Sequence, residues 1–182
     1  IYVSTDGGQS WHQTLHELGQ QNVNWLDKPC TSPYGTVLIS CGAREYLRSD
    51  DHGESWEART APEMYNIVSI VNSAPDVFFS GAYIALNDWH EHIYKSTDNG
   101  LTWDLVWNDN SNQVHGGLYY VDFADSLHGC FASTVGQAIS TADGGQSWQN
   151  ISDGYFGGSI GAVEVAPSDP NVIYVGGGEQ TV

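Results

Sequence analysis

The chain has 182 residues, with 22 Asp and Glu against 5 Lys and Arg, for a net charge of −17. Its cations, Lys28, Arg44, Arg48, Arg59 and Lys95, are too few to neutralise a phosphate backbone or hold an anionic membrane, which excludes nucleic-acid and membrane-surface binding. No run of about 18 apolar residues is present to span a bilayer as a helix.

Taken in chain order, the predicted elements are short strands. Residues 1–3 form a strand that runs into Ser4-Thr5-Asp6-Gly7-Gly8-Gln9-Ser10-Trp11. This start lacks the basic and apolar regions of a signal peptide and has no Met, so it reads as the cut edge of something longer or processed. Strands at 24–27, 36–41 and 46–48 lead into Ser49-Asp50-Asp51-His52-Gly53-Glu54-Ser55-Trp56. Strands at 67–71, 77–81 and 93–95 lead into Ser96-Thr97-Asp98-Asn99-Gly100-Leu101-Thr102-Trp103. Strands at 119–123, 129–133 and 137–140 lead into Thr141-Ala142-Asp143-Gly144-Gly145-Gln146-Ser147-Trp148, and strands at 162–165 and 172–175 follow.

The four boxes share Ser/Thr-x-Asp-x-Gly-x-Ser/Thr-Trp, with Trp-to-Trp spacings of 45, 47 and 45. Locally the pattern is a hairpin turn. Asp6, Asp51, Asp98 and Asp143 accept hydrogen bonds from backbone N–H groups across the turn. Gly8, Gly53, Gly100 and Gly145 supply positive φ. The hydroxyls of Ser4, Ser49, Ser96 and Thr141 tie the flanking strands together. Trp11, Trp56, Trp103 and Trp148 open the outgoing strand and wedge an indole against the neighbouring unit. These box residues are expected to be structural rather than catalytic.

One period therefore holds four short antiparallel strands, A to D, with the box at the C–D turn. That is one blade of an all-β β-propeller, about four blades in this chain. The expected blades are 160–182 plus 1–15, 22–60, 66–107 and 118–150. The end meets the beginning in register, so the N- and C-terminal segments are expected to share one blade, closing a small ring or marking an excerpt of a larger one. Complementary ends can also join between chains, so self-association is a further expectation. Cys30, Cys41 and Cys130 make no disulfide framework.

The boxes resemble the Asp-box (BNR) repeats of sialidases, xyloglucanases, sortilin-type receptors and photosystem II assembly factors. The segment 151–179 is similar to bacterial exported repeat proteins of the sortilin-like or glycosyl-hydrolase-like kind, and 121–129 to the assembly-factor type. The resemblance implies a propeller whose boxes lie away from the ligand face, outside the cytoplasm. It argues against sialidase activity, because that family spreads three arginines over separate blades, whereas Arg44, Arg48 and Arg59 fall in one blade and its exit loop.

Ligands in propellers meet the face bearing the B–C and D–A connections, or the central channel. The richest such loop is Asn87-Asp88-Trp89-His90-Glu91-His92. His90 and His92 alternate, so on an extended strand both point the same way. Asp88 or His115 could then complete a metal site, the alternative being a polar loop with incidental histidines. Trp89 is the best ring for stacking on a sugar, and Tyr155 and Phe156 could join that surface, whereas Trp25 and Trp107 fall on strands and read as core. A glycosidase needs two facing carboxylates. Asp88, Glu91, Asp109, Asp153 and Glu179 lie on the right face, and nothing singles out an acid and a base.

No phosphate loop, Cys-x-x-Cys pair or nucleophile elbow occurs, so no cofactor is expected. The reading is an extracytoplasmic binding module for a protein or a glycan, with a xyloglucanase-like glycoside hydrolase and a self-assembling extracellular unit as alternatives. The candidate ligand-binding residues are Asp88, Trp89, His90, His92, His115 and Tyr155, with no catalytic or metal-ligating residue assigned.

Overall fold

The computed structural model describes residues 1–15, 26–61, 66–84, 90–109, 117–152 and 158–178. Among them there are sixteen strands and no α-helix. The first hairpin is β1 (Tyr2–Val3) with β2 (His12–Gln13). A four-stranded sheet follows, β3 (Cys30–Thr31), β4 (Val37–Ser40), β5 (Glu45–Ser49) and β6 (Glu57–Thr60). The next is β7 (Ile67–Ala74), β8 (Val77–Ile84), β9 (His90–Ser96) and β10 (Asp104–Asn108). The third is β11 (Tyr120–Phe123), β12 (Gly129–Ala132), β13 (Ala138–Thr141) and β14 (Gln149–Asn150). A last hairpin pairs β15 (Ser159–Val165) with β16 (Ile173–Gly178). All pairings are antiparallel and sequential, so each period is one meander, in the A-B-C-D order that the repeat predicts.

The boxes close as predicted, four times over. The first hydroxyl, on Ser4, Ser49, Ser96 or Thr141, donates to its Asp Oδ1 at 2.7–2.9 Å. That hydroxyl oxygen in turn accepts the N–H of the box glycine at 2.8–2.9 Å. The second Ser or Thr donates its N–H to Oδ1 at 2.8–2.9 Å and its hydroxyl to Oδ2 at 2.6 Å. Gly8, Gly53, Gly100 and Gly145 have φ between 79° and 93°, in the left-handed region that favours glycine.

Hydrophobic cores lie between the sheets, because each central strand buries both faces. Leu38, Tyr46, Phe78 and Tyr94 join the first sheet to the second, with Trp103 wedged on them. Phe79, Ile93, Phe131 and Ile139 join the second to the third, with Trp107 and Trp148 packed on them. Trp107 is thus core, as expected, while Trp25 lies outside the described residues. The later box indoles rest on the blade before them: Trp103 meets Tyr46 edge-on at 6.0 Å and Trp148 meets Phe79 at 6.1 Å. Polar clasps cross the same boundaries, Tyr46 Oη to Gly100 O at 2.8 Å and Lys95 Nζ to Gly144 O at 2.7 Å.

One expectation is corrected. Among the described residues the terminal segments do not form one four-stranded ladder: β1–β2 and β15–β16 are separate two-stranded sheets. Burial explains this, because Ile1 and Leu15 pack on the first full blade while Val163 and Val175 pack on the last. Trp11, whose counterparts Trp103 and Trp148 rest on a preceding blade, is 63% exposed. Of the strand A expected at 24–27, residues 24 and 25 lie outside the described residues. Asp27 N–H still donates to Ser40 O, but Pro29 has no N–H to give, and the ladder resumes at Cys30 opposite Leu38. The three cysteines are free, and Cys41 and Cys130 are buried.

Candidate functional site

The A strands are the innermost strands of successive blades, and they line one cavity of about 500 Å³, in the range of small-ligand sites. Asp27, Lys28 and Thr31 come from the first full blade, Ser69 and Asn72 from the second, Tyr119, Tyr120 and Asp122 from the third, and Gly161 to Val163 from the last hairpin. Several of these side chains are already anchored. Asp122 Oδ2 accepts the Val165 N–H at 2.7 Å, linking the third blade to the last hairpin. Asn72 Nδ2 donates to Ala74 O at 2.6 Å and Val77 O at 3.0 Å. Tyr119 is 37% exposed, and burial together with the neighbouring Tyr83 hydroxyl pushes its phenol up to about 12. Its ring lies 6.5 Å from that of Tyr83. Two tyrosines beside Asp, Asn and Lys combine flat apolar faces with hydroxyl-binding groups, the combination that suits a sugar.

Behind this wall, at the loop end of β9, is a cluster the sequence brings together. His90, Glu91 and His92 are consecutive, and Asp109 leaves β10 with its N–H on Glu91 O at 2.9 Å. His92 is only 7% exposed, and its ring packs edge-on against Tyr94 at 5.9 Å. Burial, and then the charge of His90, lowers its pKa. His90 is near enough for its charge to act on His92, and among the described residues no three His, Cys, Asp or Glu side chains gather as a metal cage. Glu91 is fully buried. Burial, only partly offset by the Gly117 N–H and reinforced by Asp109, pushes its carboxyl up to about 8.

Of the other sequence candidates, Asp88, Trp89, His115 and Tyr155 lie outside the described residues, as do Phe156, Asp153 and Glu179. Arg48 is paired with Asp50 and Arg59 with Glu57. The groove wall itself was missed. Tyr119, Tyr120 and Asp122 read as ordinary strand residues, and the available signal was polar and phenolic side chains on a strand that is otherwise apolar.

The BNR/Asp-box repeat family model matches residues 2–13. The chain is 26% identical to a xyloglucanase of Paenibacillus sp. over 96% of its own length and 21% of that enzyme's. It spans 18–21% of the curated relatives it matches. Among solved structures it is similar to the GH74 enzyme of Niastella koreensis, with a TM-score of 0.70 and 16% identity over 96% of this chain and 31% of that one. It is also similar to YCF48 from Cyanidioschyzon merolae, with a TM-score of 0.65 and 15% identity over 96% of this chain and 59% of that one. The chain is an all-β array of Asp-box propeller blades.

Proposed function

We propose that this chain is a glycan-binding propeller module acting outside the cytoplasm, and that a xyloglucan-like β-glucan lies along the groove of the inner strands and the adjoining loop face. The observation that carries this reading is the 500 Å³ cavity walled by Tyr119, Tyr120, Asp122 and Asn72, in a chain whose curated relatives are xyloglucanases. A sugar ring stacks its C–H face on a phenol while carboxylate and amide groups take its hydroxyls. The net charge of −17 suits a neutral polysaccharide better than an anionic one.

Affinity electrophoresis in gels containing xyloglucan, mannan or carboxymethylcellulose tests this. Retardation by xyloglucan is expected, with Tyr119→Ala weakening it at least about tenfold, the loss of one stacking contact of about 1.4 kcal/mol. Unretarded migration in every gel would overturn the proposal. The relatives favour a second reading, hydrolysis of the same polymer, and new reducing ends released from xyloglucan by the purified chain would establish it.

A further inference from the structure

The Tyr119 wall of the groove is held from behind. Residues 117–119 lead into the third full blade and are clasped twice by the second. Gly117 N–H donates to Glu91 Oε1 at 3.0 Å, and Leu118 O accepts Ser69 Oγ at 2.8 Å. Leu118 is fully buried, and Tyr119 N–H closes the turn onto Gly117 O at 3.1 Å. Gly117 has a φ of 84°, and a Cβ there would come within 2.8 Å of Tyr119 Cε2 and 3.1 Å of Tyr83 Cδ1, so backbone and rings are closely fitted.

Glu91 is the buried member of this clasp, and among the described residues its Oε2 has no hydrogen-bond partner. Among the described residues, the titratable groups around it are Asp109 at the exit of β10, Tyr83 opposite it in the β8–β9 ladder, Tyr119 beyond Gly117, and His90 and His92 on either side along β9. The charge that acts on it is the like charge of Asp109. An ionised carboxylate with one oxygen unsolvated and a second carboxylate beside it is costly, whereas a carboxylic acid accepts the Gly117 N–H without that cost.

We propose that Glu91 carries a proton in the folded protein and acts through Gly117 as the positioning residue for Tyr119, so that loss of this proton repositions the groove wall. Its consequence for ligand binding rests on the glycan reading above; the latch itself does not.

The test follows the Glu91 carboxyl and the Tyr119 ring by NMR from pH 4 to 9.5, in the 182-residue chain with no polysaccharide present. The Glu91 carboxyl is expected to titrate near 8, and the Tyr119 ring signals, assigned with Tyr119→Phe, to move with the same midpoint. Glu91→Gln keeps an acceptor for Gly117 N–H without an ionisable group, and should leave the Tyr119 signals flat across this range. Asp109→Asn removes the like charge and should move the Glu91 midpoint to lower pH. Titration of Glu91 near its ordinary 4.5, or Tyr119 signals that titrate alike in the wild type and in Glu91→Gln, would overturn the proposal. A latch seen by NMR in a chain that no polysaccharide retards would refute the glycan reading and leave the latch standing.

Discussion

Gly8 and Gly145 occupy the same position in their boxes but different surroundings. Both have positive φ, 88° and 82°, so an alanine at either meets the same backbone penalty, about 1–2 kcal/mol. At Gly8 the added Cβ would meet only Trp11 Cζ2, at an ordinary 3.8 Å. At Gly145 it would come within 2.6 Å of Cε1 of Phe79, a fully buried ring stacked on Phe123 at 4.5 Å. That ring has nowhere to move, and overpacking adds about 1–3 kcal/mol. Urea unfolding should therefore show Gly145→Ala more destabilised than Gly8→Ala by that second amount. Equal losses would mean that blade stacking does not constrain the box.

The blade is the element, and the box indole is its joint. Trp148 touches Phe79 across the blade boundary and Phe131 within its own blade, at 6.1 and 5.6 Å. Trp148→Ala should cost about 3 kcal/mol, the low end for a core aromatic because the ring is half-buried. Trp11→Ala should stay within about 0.5 kcal/mol, since its ring is 63% exposed. Thermal or urea unfolding of the two variants compares them directly, and similar losses would show that the terminal hairpin is packed like an internal one. The boxes were legible in the sequence because every bond that closes them spans at most four residues. Features set over longer distances were not. The pairing at Cys30 and Thr31, past Pro29, depends on Leu38 and Val37 across the ladder. The groove draws side chains from four units, and no single stretch displays them. The terminal hairpins matched in pattern, yet where each sits is decided by the blade it buries against. Glu91 was visible as a carboxylate on the loop face, but only its burial beside Gly117 and Asp109 distinguishes it.

For the whole molecule, these carboxyls act in opposite directions on stability. Asp6, Asp51 and Asp143 are held down to about 2, first by the hydroxyl and then by the N–H of the second box Ser. In Asp98 burial opposes the shift, and the bonds from Thr102, Ser96 and Leu101 still leave it lowered. A carboxyl held below its unfolded value stabilises the fold above the ordinary 3.8, and that contribution is lost as the pH falls through about 2. Four such groups make acid unfolding cooperative and steep. Glu91 has the reverse sign. Raised from 4.5 to about 8, it stabilises fully below 4.5 and loses that contribution as the pH rises through 8. Thermal midpoints from pH 2 to 9 should therefore pass through a maximum between about 4 and 5, below the neutral optimum common among folded proteins. Salt separates these terms from general repulsion. At a net charge of −17, raising ionic strength from 0.01 to 0.15 M shortens the screening length from about 30 to about 8 Å and should lift the midpoints at neutral pH. The decline toward pH 8 should persist in salt, because Glu91 is buried, and should disappear in Glu91→Gln while the acid limb remains. A maximum at neutral pH, or an alkaline decline that salt abolishes, would assign the pH dependence to surface repulsion instead of to these named carboxyls.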